Sequence, residues 1–336
     1  MALVELTASG LYCAQAGFHI DPWRSVPAAL ITHAHSDHAR SGSGRYLAHE
    51  HCVPFLKARL GRIQAHGFRY GSAFTSNGVR ISFHPAGHIP GSAQIRLEYK
   101  GEVWVVSGDY KTQDDGLSVP FEPIRCHTFI TESTFGLPLY RWRRQQEVFD
   151  DINSWWTANA AENIVSVIIA YSLGKAQRII QGVDRNTGPV IVHPSVADMN
   201  DVVQSFTPSF PQTIRWNPSL LPGEYRRALV IVPPGAADAA WIEKMKPYAA
   251  ASVSGWMQLR GARRWQGLDR GFVLSDHADW PGLVSAVKAT GAEKVYVTHG
   301  YSDTFSRWLS EQGLEAQVLD TLFEGERREV AEKIKQ

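Results

Sequence analysis

Cysteine is scarce: Cys13, Cys52 and Cys126 are the only three in 336 residues, and they lie far apart. That argues against a disulfide framework and a Cys-type zinc site, and fits a reducing cytosol. Net charge is nearly absent too. Thirty-four basic and 33 acidic residues leave +1, so no global basic field attracts nucleic acid. Any such contact has to come from a local patch, such as "YRWRRQ" (140–145) or "LRGARRW" (259–265). No apolar run approaches the ~20 residues that span a membrane. The first residues lack the basic-then-apolar pattern of a secretory signal. A cytoplasmic protein without membrane association is expected. No internal repeat or low-complexity segment is visible.

Histidine is concentrated instead. "THAHSDHA" places His33, His35, Asp37 and His38 within six positions. Hydrophobic residues make up 44% of the chain and charged residues 20%, which suits a globular protein with a core. Six apolar, β-type runs end in a polar, metal-capable residue. "AALITHAH" ends at His33 and His35, "VRISFHPAGH" at His88, "EVWVVSGD" at Asp109. "HTFITE" ends at Glu132, "GFVLSDH" at His277 and "KVYVTH" at His299. In layered α/β proteins, sites form where loops converge beyond strand ends.

Between Glu132 and His277 the pattern changes to strand–helix alternation. "RWRRQQEVFDDINSWWTANAAE" (141–162) predicts a helix. "NIVSVIIAYSLGKAQRIIQGV" (163–183) predicts a strand, a turn and a helix, and "GPVIVHPSV" and "RALVIVPPGA" predict further strands. This alternation predicts a second α/β unit inserted at 137–270, with the first domain (1–136) completed by 271–336. The tail "EGERREVAEKIKQ" predicts a charged helix.

Imidazole suits zinc and similar metals, and a carboxylate can bridge two cations. On a loop after a strand, His33 and His35 can face one metal while Asp37 and His38 turn to a second. His88, Asp109 and His299 supply further ligands, with Asp109 suited to bridging. Two ions ~3.5–4 Å apart activate a nucleophile and stabilise both oxygens of a phosphodiester displacement. The competing reading of the cluster is a solvated polar loop, and of His299 an ordinary histidine at a strand end.

"HIDPWR", "THAHSDHA", "PAGHIPGSAQ" and "SGDYK" resemble the motifs of the metallo-β-lactamase superfamily. "TESTFG", "SDHADW" and "VTHG" resemble those of its β-CASP nucleic-acid-processing branch, and "AYSLGKAQ" resembles the start of the β-CASP insert. "SGDYKTQDD" and "ITESTFGLP" look most like the bacterial ligase-associated DNA damage response exonucleases. The resemblance implies an α/β fold: a metallo-β-lactamase αββα sandwich with an inserted β-CASP α/β domain. It implies two divalent ions, zinc first and manganese as the alternative. His33, His35 and His88 would hold one. Asp37, His38 and His299 would hold the other, with Asp109 bridging. Asp21 would orient the ligand loop, unless it only forms a turn before Pro22. His277 would be the general acid and Glu132 its orienting carboxylate.

Softer signals concern substrate phosphate. Tyr110 and Lys111 follow the bridging aspartate, and Ser172, Gly174 and Lys175 stand where a turn meets a helix, whose N–H groups favour anions. Gly91 and Ser92 offer backbone donors after His88. Arg141, Arg143 and Arg144 around Trp142 suit a single strand or form a solvated helix face. Trp155 and Trp156 fit the core. The activity implied is an exonuclease on DNA, entering from the 5′ end, in repair. Association with an ATP-dependent DNA ligase and a helicase goes with that resemblance. The alternatives are RNA processing, which His299 matches because RNA-acting members carry His there, and a small-molecule thioesterase or lactonase. The last leaves Glu132, His277 and the insert unexplained.

Overall fold

Short apolar runs with β-branched residues become strands, and their period of two decides which core each residue joins. A computed structural model describes residues 2–237, 240–259 and 268–323. Most of the basic stretch 259–265 and all of the tail 324–336 lie outside the described residues. The chain divides into two compact units, Met1–Arg141 with His277–Gln336, and Trp142–Asp276.

The first unit holds two sheets. One has six strands in the order Glu5–Thr7, Gly10–Cys13, Phe18–Ile20, Ala29–Leu30, Tyr46–His49, Ala65–Phe68. The other has seven, in the order Glu315–Val318, Lys294–Gly300, Thr128–Ser133, Glu102–Val106, Ala93–Tyr99, Val79–Pro85, Ala73–Ser76. Alternation along Glu102–Val106 shows how the second sheet is used. Trp104 and Val106 join a core shared with Leu11, Ile20, Leu30 and Leu47 of the first sheet. Val103 and Val105 point the other way and pack with Leu283, Val287, Phe305 and Leu309. Those four belong to the helices Trp280–Thr290 and Ser302–Glu311. Full burial of such a side chain contributes about 1.5–3 kcal/mol. A one-residue slip would exchange the two faces, so the register is strongly specified.

Strand direction places the polar termini together. Glu102–Val106, Thr128–Ser133 and Lys294–Gly300 are parallel. Val79–Pro85 points the same way, because it is antiparallel to Ala93–Tyr99, which is antiparallel to Glu102–Val106. The residues leading to His88, to Asp109, and the strand ends bearing Glu132 and His299 therefore reach one edge. Two glycines make close approaches possible there. Gly108 has φ +56° and a Cβ would lie 2.6 Å from the Thr32 side chain. Gly300 has φ +86° and a Cβ would collide with the Ser133 carbonyl.

The second unit is a six-stranded sheet whose strand pairs are all parallel. Its order is Ile214–Arg215, Val190–Val192, Leu229–Val232, Val165–Ile169, Tyr248–Val253, Arg270–Phe272. Leu229–Val232 is buried along its whole length, as expected for a parallel strand covered on both faces. The unit runs to Asp276, and its strand Arg270–Phe272 pairs with Tyr248–Val253. The run "GFVLSDH" thus leaves a strand of this sheet before His277 begins the return to the first unit. Trp156 is fully buried and its indole donates to the Arg227 carbonyl at 3.0 Å, while Trp155 meets the Phe272 ring edge-on. Both are core residues. Among the described residues no helix is long and apolar enough to cross a membrane.

Candidate metal centre

Asp109 is the centre of the site. Its Oδ2 lies 3.5 Å from His33 Nε2 and 3.8 Å from His88 Nε2. Its Oδ1 lies 3.0 Å from His299 Nε2 and 3.5 Å from His38 Nε2. His35 Nδ1 closes the first group, 3.2 Å from His33 Nε2 and 3.1 Å from His88 Nε2. Asp37 Oδ2 stands 3.7 Å from His38 Nε2, beside the second group. His33, His35, His88 and Asp109 form one set able to hold a metal, and His38, Asp109 and His299 a second.

The tautomers follow from the partners. Asp21 Oδ2 lies 2.7 Å from His38 Nδ1, and a carboxylate only accepts, so Nδ1 carries the proton. Thr32 gives both its N–H and its hydroxyl to Asp21. Its Oγ1 therefore accepts from His33 Nδ1 at 3.1 Å. Thr298 donates its hydroxyl to the Thr131 carbonyl, so its Oγ1 accepts from His299 Nδ1, also at 3.1 Å. In the neutral form of each ring, Nε2 is a lone pair directed at Asp109. His38 Nε2, His299 Nε2 and Asp109 Oδ1 are buried and have no hydrogen-bond partner. Acceptors facing each other at 3.0 Å require a cation or a proton between them. The donor set fits divalent metal on that ground.

The electrostatics agree. Burial, then the neighbouring His38, His88 and His35 rings, push His33 well below the ordinary histidine range, against the pull of Asp109. Burial also lowers His38, but Asp109, Asp37 and Asp21 outweigh it and carry the group up to about 10. Burial raises Asp109, yet His38, His299 and His277 hold it well below the usual carboxylate range. The carboxylates of the second group thus demand positive charge, which a bound cation supplies.

Beside the two groups stands His277. Its Nδ1 is 2.9 Å from both carboxylate oxygens of Glu132, and its Nε2 is 4.0 Å from Asp109 Oδ2. Glu132 is anchored by the backbone N–H groups of Tyr110 at 2.8 Å and Thr134 at 3.3 Å. The carboxylate therefore holds Nδ1–H and leaves Nε2 facing the metal groups.

Asp21 sits in the turn before Pro22 and is hydrogen-bonded to Thr32 and His38. It adopts φ 44°, a left-handed turn conformation that Asp tolerates, and its carboxylate anchors the ligand loop. Asp21→Ala frees the His38 ring and leaves the Thr32 N–H without its acceptor. We expect divalent-metal affinity at the second group to fall about 10–100-fold in a chelator-competition titration, and stability to drop about 1–3 kcal/mol in urea unfolding.

Three residues expected to contact phosphate are enclosed in the structure. Tyr110 is fully buried in the core, stacked on Phe121, with its hydroxyl 3.0 Å from Thr131 Oγ1. Lys111 is 2% exposed, with its ammonium 3.3 Å from Gln113 Oε1. Lys175 is fully buried, 3.6 Å from Asp276 Oδ2 and over the Tyr171 ring. Ser172 is half-buried, its hydroxyl 2.9 Å from that of Ser195. Gly174 precedes the helix Lys175–Gly182 with φ +94°. Ser92 Oγ accepts from the His88 N–H at 3.1 Å, so this residue shapes the ligand loop. Gly91 packs its backbone against His51 and Cys52. Arg143, two residues before the helix Gln145–Ala161, is exposed and bonded to Glu147 and Asp151 of that helix. Arg141 and Arg144 are exposed.

Sequence reasoning missed Thr32, Thr298 and Arg59. The signal for the first two was a repeat: "TH" occurs in "ITHAH" and in "VTHG", and each Thr meets the ring of the His after it. Arg59, from the helix Cys52–Leu60, donates to the carbonyls of Ala34 and Ala39 and clamps the ligand loop from behind. Nothing in its local sequence marks it.

No protein-family model matches the chain. It is 31% identical over 316 residues to a protein named "Probable DNA ligase" from Opitutus terrae. That match covers 92% of this chain and 30% of that protein. "Endoribonuclease YSH1" from Gibberella zeae is 29% identical over 130 residues, covering 37% of this chain and 15% of that one. "Cleavage and polyadenylation specificity factor subunit 3" from Dictyostelium discoideum is 28% identical over 116 residues, covering 33% and 14%. The chain spans less than a third of the length of these relatives. A solved structure of a protein of unknown function from Enterococcus faecalis superposes with a TM-score of 0.60 at 10% identity, covering 88% of this chain and 80% of that one. It shows a shared mixed α/β fold and nothing of activity. The partial similarities support the metallo-β-lactamase superfamily and its β-CASP branch as the family that the motifs resemble.

Proposed function

We propose that this protein is a two-metal phosphodiesterase, a DNA exonuclease of the β-CASP branch that shortens single-stranded ends from 5′ to 3′ in repair. The observation that carries the reading is the Asp109 carboxylate, with imidazole Nε2 atoms on both its oxygens and the His277–Glu132 pair alongside. In this reading the unit containing the site is a metallo-β-lactamase αββα sandwich, and Trp142–Asp276 is its β-CASP insert.

His33, His35 and His88 would hold one divalent ion, and Asp37, His38 and His299 the other, with Asp109 between. Zinc suits this nitrogen-rich set, and manganese is the alternative. Bound ions supply charge neutralisation at the phosphate and activation of the nucleophile. The chain's own contribution to bond breaking is His277. As an imidazolium it holds a proton at Nε2 and delivers it to the leaving oxygen as the P–O bond breaks. Glu132 keeps hold of Nδ1–H throughout, fixing the ring and stabilising its charged form.

DNA is favoured by the similarity to a probable DNA ligase, which covers nearly all of this chain. In that protein the matched region is joined to a much longer remainder, which supports action at ends that a ligase then seals. A ligase and a helicase are the proposed functional partners. The second reading, RNA cleavage, is favoured by His299 and by the endoribonuclease relatives. Zinc- or manganese-loaded protein is given 5′- and 3′-labelled single-stranded DNA and matched RNA. Mononucleotide release from DNA, timed by label position, is the expected result. Cleavage of RNA alone overturns the DNA assignment, and cleavage of neither overturns the nuclease reading.

A further inference from the structure

The second metal group has an unusual wall. Phe323 lies face to face on the His38 imidazole, with ring centroids 4.4 Å apart and planes 6° from parallel. The same phenyl ring meets His299 edge-on at 5.9 Å and 75°. Trp23 backs it at 5.8 Å. One apolar side chain therefore touches both histidines of the second group. His33 and His88 of the first group stand at the opposite oxygen of Asp109.

The placement is built by the sheet. Glu315–Val318 pairs in parallel with Lys294–Gly300, the strand that bears His299, and the Leu319 N–H extends the ladder to the Val297 carbonyl at 2.9 Å. The chain then turns back towards His38. Leu322 is left 58% exposed while Phe323 is turned inward. The cavity bounded by Asp21, His38, His299 and Phe323 measures only about 10 Å³, room for roughly one water.

We propose that Phe323 is a positioning residue that sets the affinity of the second metal site; this rests on the metal reading above. The His38 ring has two remaining freedoms, rotation about its own axis and tilt. The Asp21 carboxylate fixes the first through Nδ1, and the phenyl face fixes the second, so Nε2 points at Asp109 without further adjustment. The same ring keeps water off His38 and His299, which strengthens the attraction between these donors and a cation.

Metal-free full-length protein is titrated with zinc in competition with a chromophoric chelator. Wild type is expected to take up two equivalents. Phe323→Leu keeps the apolar character and loses the flat face. It should retain one equivalent at wild-type affinity and weaken the other about 10–100-fold. Phe323→Tyr should restore both, and Leu322→Ala, which alters the same segment on its exposed side, should match wild type. Thermal melts of the metal-free variants establish that each is folded. Two wild-type-like steps in Phe323→Leu overturn the proposal, as does equal weakening of both steps. A wild type that takes up no zinc overturns the metal reading itself, and with it this proposal.

Discussion

Replacing His277 by alanine lowers turnover by about 10²–10⁴-fold, the range a positioned general acid contributes, and leaves metal content unchanged. The geometry dictates both halves of that result. His277 Nδ1 is held 2.9 Å from Glu132, and its Nε2 is no closer than 4.0 Å to Asp109. Removing the ring takes away the proton donor and one ring neighbour of His88, at a centroid distance of 4.7 Å, while the imidazoles nearest Asp109 keep their own hydrogen-bond anchors. Folding survives because Glu132 keeps the N–H groups of Tyr110 and Thr134 as partners. Glu132→Gln keeps an acceptor near Nδ1 but loses the charge that stabilises the imidazolium, so its loss is smaller, about 10–100-fold. Metal analysis on the purified variants and single-turnover cleavage separate the two effects. Loss of metal from His277→Ala would make the histidine a ligand and sink its assignment as the acid.

Asp109→Ala abolishes metal uptake at both groups and activity with it. Asp109 belongs to every set of metal-capable residues among the described residues. Its two oxygens face different groups, Oδ2 towards His33 and His88, Oδ1 towards His38 and His299. No other carboxylate in those sets belongs to both groups. Asp109→Asn is the sharper variant, because it keeps shape and removes charge. A neutral amide cannot neutralise a pair of dications, so zinc stoichiometry falls towards zero while the metal-free protein keeps its secondary structure by circular dichroism. Retention of two tightly bound equivalents in Asp109→Asn would remove the bridging assignment.

The chemistry of the site is legible in the residue order because ligand spacing is local. His33, His35, Asp37 and His38 share one loop, and each of the other candidate ligands follows an apolar run whose period marks it as a strand. Residues just beyond a buried strand sit at a sheet edge, so residue order alone is enough to group these segments. Tyr110 and Lys111 show what this reasoning leaves open. They come directly after Asp109, yet the turn at Gly108 sends one into the core and encloses the other. Adjacency in the chain says which edge a residue reaches and nothing of which way it faces.

Sequence alone pointed to the candidate ligand types, the strands that carry them and strand–helix alternation between Glu132 and His277. It did so because hydrophobic period and donor chemistry are properties of neighbours in the chain. Tertiary structure decided everything that depends on residues far apart. It paired Arg270–Phe272 with Tyr248–Val253 in the second unit, which runs to Asp276. It seated Arg59 behind the ligand loop, 20 and 25 residues from the carbonyls it holds. It laid Phe323 on His38. A hydrogen bond or a ring stack is specified by three-dimensional approach, and sheet register, fixed only when the whole core packs, sets that approach.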